Sequence, residues 1–172
     1  MGVTIKTSGP GQHAIRKALD FFLHNRVYVG IPGANAGRSG TVTNVELAFI
    51  HTYGSPRLRI PARPFLLPAI EQAKTREQIE RHMKASCEAA VAGDIGAATA
   101  ELEKAGQAGE NAAKDYIQSG NLAPNSGFTL SGGWMRNRIS GKPFHAGPKG
   151  SSTPLIDTGS LRSSITHVME KG

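Results

Sequence analysis

The sequence predicts an α+β fold: a small, mainly antiparallel sheet with an N-terminal helix and a long helical hairpin. Two observations lead to this fold class. Segments with a strand-like pattern lie at 26–31 and 165–170, and helical periodicity fills much of the region between about 65 and 118. The chain has 172 residues, a length that suits one domain with its own hydrophobic core. Residues 1–172 are therefore predicted to form a single domain.

The first forty residues contain a possible strand, a helix and a second strand. The possible strand covers 3–6, and the helix covers about 11–24. Residues 27–31 are rich in β-branched and aromatic side chains, which is typical of a strand. The glycine-rich loop that follows, 30–40, is predicted to be a flexible connection or a tip that becomes ordered on contact with a partner. The apolar residues that recur at helical spacing in the helix are Ile15, Leu19, Phe22 and Leu23.

A short helix is predicted to begin near residue 44. Thr43 or Asn44 can cap its first turn with a side-chain oxygen, and apolar residues follow with a 3.6-residue period. Gly54 can adopt the left-handed conformation that ends a helix, and Pro56 prevents continuation. We expect the apolar face of this helix to be buried. The residues of that face are Val45, Leu47, Ala48, Phe49 and Ile50.

Three arginines alternate with apolar residues and prolines directly after this helix. Pro61 and Pro64 favour an extended backbone, so Arg57, Arg59 and Arg63 are predicted to project from one side of it. Like charges on one face repel each other, and a surface ion pair within the subunit would contribute only about 0–1 kcal/mol. We therefore predict that these arginines contact an external anion or an acidic partner. The alternative is a solvated edge.

The region from residue 65 to about 118 is predicted to form two long helices. Apolar residues recur at spacings of three and four from Phe65 to Val91, and Gly93 and Asp94 interrupt this pattern. A second, alanine-rich helix is predicted over 95–118. Small residues allow close approach, so the two helices are predicted to form an antiparallel hairpin.

Residues 119–153 are rich in Gly, Ser, Asn, Pro and Lys, and they are predicted to form a flexible loop. Trp134 and Phe144 lie within this loop. An aromatic side chain in a polar loop is either a local anchor or an interface contact. We predict that Trp134, Phe144 and also Phe65 take part in an interface.

The chain is predicted to end with a short helical turn and a strand. Asp157 or Thr158 can cap the turn, which contains Leu161. The strand at 165–170 is expected to pair with the strand at 26–31.

The charge of the chain is unevenly distributed. The formal net charge is +7. Residues 1–70 carry 8 basic and 2 acidic side chains, residues 71–120 carry 6 and 9, and residues 121–172 carry 6 and 2. The basic ends can meet DNA phosphates, an acidic protein surface or the acidic middle of a neighbouring copy.

Other features of the composition narrow the possible functions. No apolar run approaches the roughly 18 residues of a membrane span, so the protein is expected to be soluble and made in a cytoplasm. The single cysteine, Cys87, cannot form an internal disulfide and is predicted to be a small buried residue in a helix.

Two segments resemble a known family. ELAFIHTYG (46–54) followed by IPARPFLLPAI (60–70) is similar to the signature of phage tail-component and virion-morphogenesis proteins, which include the minor tail protein Z type. PLIDTGSLRSSITHVM (154–169) resembles the C-terminal part of the same family, and the order and separation of the two segments also fit. The residues that carry the resemblance are Glu46, His51, Tyr53, Gly54, Pro61, Pro64, Asp157, Thr158, Gly159 and Leu161.

The resemblance implies a structural, non-enzymatic protein of the phage neck that joins the head connector to the tail. It implies a homo-oligomeric ring, a hexamer or a dodecamer, around the DNA channel. The implied partners are other neck, head-connector and tail proteins, with non-specific proximity to DNA and no membrane. The implied location is the tail or neck of the virion, after assembly in the host cytoplasm. No catalytic, cofactor-binding or metal-binding residue is implied.

Three other functions share local features with this sequence. The segment LIDTGS (155–160) matches the local sequence of retroviral-type aspartic proteases, but only a dozen or so residues follow and the supporting strand is missing. The loop at 30–40 lacks the spacing and the lysine of a phosphate-binding P-loop. A basic nucleic-acid-binding module remains the alternative function, although no helix has a continuous basic face.

Overall fold

The structure is a computed structural model that describes residues 10–37 and 42–172. The predicted strand at 3–6 and residues 38–40 of the glycine-rich loop lie outside the described residues. In chain order the helices and strands are α1 Pro10–His24, β1 Asn25–Gly30, α2 Asn44–Tyr53, α3 Leu66–Glu71, α4 Ala73–Ala92, α5 Ile95–Gln118, α6 Gly127–Ser131, β2 Gly133–Arg136, β3 Pro143–Ala146, α7 Ser160–Ser164 and β4 Thr166–Lys171. Two 3-10 turns lie at Gly33–Asn35 and Pro56–Leu58.

Helices make up 57% of the structure and strands 14%, so the predicted α+β class is confirmed. The strands form two separate two-stranded antiparallel sheets. β1 pairs with β4, as the two end segments of the sequence predict. β2 pairs with β3 in a hairpin that the sequence did not predict.

The described chain groups into two compact units, and each is assembled from separate segments. Unit 1 contains residues 10–29, 72–109 and 167–172, and unit 2 contains residues 30–37, 42–71 and 110–166. The single domain expected from the chain length stays a prediction.

Unit 1 is built from helices α1, α4 and the first part of α5, with the β1–β4 pair. Its buried residues include Ala18 and Phe21 of α1, Ala90 of α4, and Ala98 and Leu102 of α5. Small residues dominate this core, which lets the helices approach closely. At Gly106 a Cβ atom would lie 2.5 Å from a methyl group of Val27, so only glycine allows this approach of α5 to β1.

The predicted antiparallel pairing of the two long helices is confirmed by contacts between α4 and α5. The hydroxyl of Ser86 is buried and donates to the carbonyl of Ala98 over 2.7 Å. Near the middle of the pair, Nδ1 of His82 lies 2.7 Å from Oε2 of Glu101. Cys87 lies on α4 but is exposed, so the expectation that it is buried is wrong. The buried position next to it is occupied by Ser86, whose hydroxyl has a partner.

Because the Glu101 carboxylate has partners in the folded protein, the stability of unit 1 is expected to depend on pH. Hydrogen bonds, first from Nζ of Lys104 and second with His82, lower the pKa of Glu101. A carboxyl group with a lowered pKa stabilises the fold above its ordinary pKa of about 4.3, and this contribution disappears as the pH falls through the lowered value. Glu101→Gln is therefore expected to reduce the free energy of unfolding at neutral pH, with the difference from wild type shrinking as the pH falls.

Urea titrations from neutral pH down to about pH 2 test this expectation. Glu103→Gln is the matched control, because Glu103 is an exposed residue of the same helix. A Glu101→Gln deficit that is unchanged over the whole pH range would show that the carboxylate charge is not the cause.

Unit 2 contains α2, α3, the end of α5, α6, the β2–β3 hairpin and α7. Its core is formed by Phe65, Ala69, Ala113, Ile117, Leu122 and Ile165. Helix α2 begins as predicted: the Thr43 side chain accepts from the backbone N–H of Glu46, and the Glu46 carboxylate accepts from the backbone N–H of Thr43. This capping box satisfies backbone donors that have no partner within the helix, and it lowers the pKa of Glu46.

Two sequence predictions in this region are corrected by the structure. The long helix expected from residue 65 is interrupted at Gln72, whose ψ of 133° is incompatible with a helix, so α3 and α4 are separate. Residues 119–153, predicted to be a flexible loop, contain α6 and the β2–β3 hairpin. The strands have four residues each, too short to show a period of two in the sequence.

Candidate interaction surface

The exposed face of α2 is the first part of the candidate site. Val45, Phe49 and Tyr53 are spaced four residues apart and lie on one side of the helix. Phe49 and Tyr53 are 65% and 69% exposed, and their ring centroids lie 4.8 Å apart. The expected burial of Val45 and Phe49 is therefore wrong. The buried residue of this helix is instead Asn44. Three other residues of the predicted face are half-buried: Leu47, Ala48 and Ile50.

Asn44 explains why α2 is rotated in this way. The side chain is 1% exposed, donates to the carbonyl of Gly37 over 3.0 Å, and lies 3.3 Å from the hydroxyl of Ser160 in α7. A buried amide requires such partners. These bonds hold Asn44 inward, so the side chains on the other side of the helix point outward.

The arginine turn after α2 differs from the extended segment that was predicted. Ser55 and Ile60 form a bridge across the 3-10 turn Pro56–Leu58, and Arg59 adopts a left-handed conformation with φ of 57°. Arg57 and Arg59 are exposed. The prediction that the three arginines project from one side is wrong, because the tight turn reverses the chain.

Arg63 is buried and has a structural role. Its Nε donates to the carbonyl of Ala123 over 2.6 Å, and its Nη2 donates to the carbonyl of Pro124 over 2.8 Å. Its backbone N–H donates to the carbonyl of His51 over 2.6 Å. Burial lowers the pKa of Arg63, although an arginine remains charged at neutral pH. Arg63 joins two distant chain segments. Its guanidinium is engaged within the subunit, so the prediction that Arg63 contacts a partner is wrong.

The three aromatic residues predicted to form an interface have different environments. Phe65 is 3% exposed and belongs to the core of unit 2, so its assignment to an interface is wrong. Trp134 is 76% exposed and is paired with His145 across the β2–β3 hairpin. Phe144 is also exposed and is paired with Met135. Because adjacent strand residues point to opposite faces, Trp134 and Phe144 lie on opposite sides of the hairpin.

An open cleft of about 970 Å³ is the second part of the candidate site. Its walls come from four segments of unit 2: α2, the arginine turn, the region from α6 to β3 with the residues on either side of it, and the turn before α7 with the start of that helix. Its apolar lining includes Leu58, Ile60, Phe128, Met135 and Leu155. Its charged lining consists of Arg59, Arg63, Arg138, Lys149 and Asp157. Four cationic side chains thus accompany one carboxylate, and the cleft is positively charged.

Lys149 shows that these charges influence one another. Its Nζ donates to the carbonyl of Thr153 over 2.6 Å. Burial, the largest effect, lowers the pKa of Lys149; the negative charge of Asp157 acts against this, and the positive charge of Arg63 adds to it. An additional carboxylate in the cleft would stabilise the charged form of Lys149.

The two sequence segments that carry the family resemblance come together at this site. Helices α2 and α7 pack against each other, and residues of both segments line the cleft. Glu46 forms the capping box, whereas Tyr53 and Pro64 are exposed. Gly54 ends α2 as predicted, but with φ of 73° and ψ of −179° it does not have the predicted left-handed helical conformation. The resemblance residues that line the cleft are His51, Pro61, Asp157, Thr158, Gly159 and Leu161.

The predicted cap of the last helical turn is corrected. The N-cap of α7 is Gly159, with φ of 79°, and not Asp157 or Thr158. Thr158 Oγ1 accepts a long hydrogen bond of 3.4 Å from the N–H of Ser160. Asp157 is therefore available to the cleft as a charged group.

Sequence reasoning missed the part of the cleft that comes from residues 124–149. In the sequence Arg138 and Lys149 contribute only to the basic charge of the C-terminal region, and no pattern distinguishes Phe128 and Met135. Four-residue strands and a five-residue helix leave little periodic signal. Only the concentration of basic side chains in this glycine-rich segment could have indicated a site.

Within residues 10–37 and 42–172, no group of three or more His, Cys, Asp or Glu side chains is arranged to hold a metal ion. Among the helices of the same residues, none is long and apolar enough to cross a membrane. Comparison of the chain with family models, with curated proteins and with solved structures gives no match.

Proposed function

We propose that this chain is a structural protein of the phage neck, which joins the head connector to the tail as a homo-oligomeric ring around the DNA channel. The exposed apolar face of α2 carries this proposal. Contiguous exposed apolar side chains are uncommon on monomeric proteins and mark sites of protein contact. Val45, Phe49 and Tyr53 have this arrangement, and Phe49 and Tyr53 are aromatic residues of the kind enriched at interface centres. The resemblance of 46–70 and 154–169 to virion proteins supplies the biological setting.

The exposed residues at the arginine turn and the hairpin support the same proposal. Arg57, Arg59 and Trp134 project into solvent, and arginine and tryptophan are enriched at hot spots between proteins. Non-specific binding of a basic protein to DNA is compatible with a ring around a DNA channel.

Phe49→Asp is expected to abolish assembly of the ring while leaving the subunit folded. Phe49 is 65% exposed, so an aspartate at this position stays solvated in the free subunit. In an assembled ring the same carboxylate would be desolvated against apolar groups, at a cost of several kcal/mol. Loss of virion incorporation, measured by cryo-electron microscopy and mass spectrometry of particles, checks this prediction.

Leu67→Asp is the matched control, because Leu67 of α3 is 63% exposed and lies outside the α2 face. Circular dichroism establishes that both variants are folded. A wild-type protein found in virions as a single copy, or absent from them, contradicts the ring. Normal incorporation of a folded Phe49→Asp variant places the subunit contact elsewhere.

A further inference from the structure

We propose that the cleft of unit 2 binds an extended segment of a partner protein that carries carboxylates together with apolar side chains. This inference rests on the proposed function and names the chemistry of one partner. The occupant is defined by the lining of the cleft, in which cationic and apolar side chains are interspersed.

The first argument is charge complementarity. Arg59, Arg63, Arg138 and Lys149 line the cleft, and the guanidinium of Arg63 is held by two carbonyls. Asp157 is the one carboxylate in the lining. The cleft therefore has an excess of positive charge that an anionic occupant would neutralise, and partly desolvated arginine–carboxylate pairs are strong.

The second argument is the apolar part of the lining, which decides between peptide and nucleic acid. Leu58 and Met135 are about 40% exposed in the free protein, where they contact water. A phosphate backbone would leave these side chains uncovered. A peptide with apolar side chains between its carboxylates covers them and gains free energy from the burial.

The third argument is the backbone of the cleft walls. Arg59 and Leu155 are the non-glycine residues with positive φ in the described part of the chain, at 57° and 62°, and both line the cleft. A non-glycine residue pays about 1–2 kcal/mol for this conformation. Such strain concentrates at functional sites, where it positions a side chain that an unstrained turn would direct elsewhere.

Matched pairs of arginines make the test specific. Arg59 lines the cleft and Arg57 does not; Arg138 lines it and Arg136 does not. All four side chains are exposed, so replacement by glutamate does not require burial of a charge. Within each pair the change in net charge is the same, and only the position differs.

The probe is a yeast-displayed library of random peptides selected on the wild-type protein. Selected peptides are synthesised with a fluorescent label, and their dissociation constants are measured by anisotropy. We expect the selected sequences to combine Asp or Glu with apolar residues. We expect Arg59→Glu and Arg138→Glu to weaken binding by about tenfold or more, which corresponds to about one charge-assisted hydrogen bond. Arg57→Glu and Arg136→Glu are expected to change the dissociation constant of the same peptides by less than about twofold.

Several outcomes overturn the inference: no selected peptide, selected peptides without acidic residues, or equal effects of the two members of each arginine pair. Labelled duplex DNA is measured in parallel. If the cleft variants weaken DNA binding and leave peptide binding unchanged, the cleft is a nucleic-acid site. The selection involves no assembled virions, so its failure leaves the neck proposal intact. Conversely, absence of the protein from virions overturns the neck proposal without affecting the measured peptide binding.

Discussion

Gly54→Ala is expected to destabilise unit 2 by about 4 kcal/mol. Gly54 has φ of 73° and ψ of −179°, a conformation that is almost exclusive to glycine and costs other residues about 1–3 kcal/mol. An added Cβ would also lie 2.8 Å from the backbone nitrogen of Ala62 and 2.8 Å from the carbonyl oxygen of Ile60. These are backbone atoms, so they cannot move aside as a flexible side chain would. Overpacking of this kind adds about 1–3 kcal/mol.

Urea unfolding followed by circular dichroism measures this effect. Gly127→Ala is the control in the same unit, because an added Cβ there meets no atom within 4 Å and φ is not positive. The control is expected to be neutral or to stabilise by a few tenths of a kcal/mol, since alanine restricts the unfolded chain more than glycine does. A loss below about 1 kcal/mol for Gly54→Ala would mean that the turn can relax, contrary to the packing described above.

Arg63→Met is expected to cost about 3 kcal/mol of stability, whereas Arg57→Met is expected to change it by less than about 0.5 kcal/mol. The guanidinium of Arg63 makes two hydrogen bonds, to the carbonyls of Ala123 and Pro124, and hydrogen bonds from a charged donor contribute about 1.5–3 kcal/mol. Methionine retains much of the apolar packing but leaves both carbonyls without this donor. Arg57 is exposed and serves as the matched control.

The same urea titration distinguishes the two arginines. Arg63→Lys is a useful third variant, because a single ammonium group cannot reproduce the fork geometry of the guanidinium. It is expected to recover only part of the loss. Equal stabilities of the Arg63→Met and Arg57→Met variants would contradict a structural role for Arg63.

Local chemistry determined where helices α2 and α5 begin and end. The capping box of Thr43 and Glu46 begins α2, and Gly54 ends it, as the sequence predicts. The glycine at 93 separates α4 from α5, and α5 covers Ile95–Gln118, close to the predicted 95–118. These signals act between residues a few positions apart, so they can be recognised in the sequence without knowledge of the fold.

Tertiary contacts decided which face of each helix is buried. The apolar residues of α2 surround most of the helix, and their pattern favours no single side strongly. Asn44 determines which side of α2 faces inward, because its side chain is bonded to Gly37 and Ser160. These partners lie 7 and 116 positions away in the sequence. The long-range bond to Ser160 has no signature in the local sequence. Val45 and Phe49 were for this reason assigned to the core although they are exposed.

Long-range contacts also give the three arginines different environments, and they bring together the walls of the cleft. In the sequence Arg57, Arg59 and Arg63 look equivalent, yet only Arg63 is buried, because the carbonyls of Ala123 and Pro124 are positioned to accept its hydrogen bonds. These acceptors are backbone atoms about sixty residues away, and the sequence does not show where a carbonyl points. The sequence by itself determined helices α1, α2 and α5, the paired end strands β1 and β4, and the basic charge of this region. Only the tertiary structure decided which charges hold the fold together and which line an open cleft, since that depends on which distant segments meet.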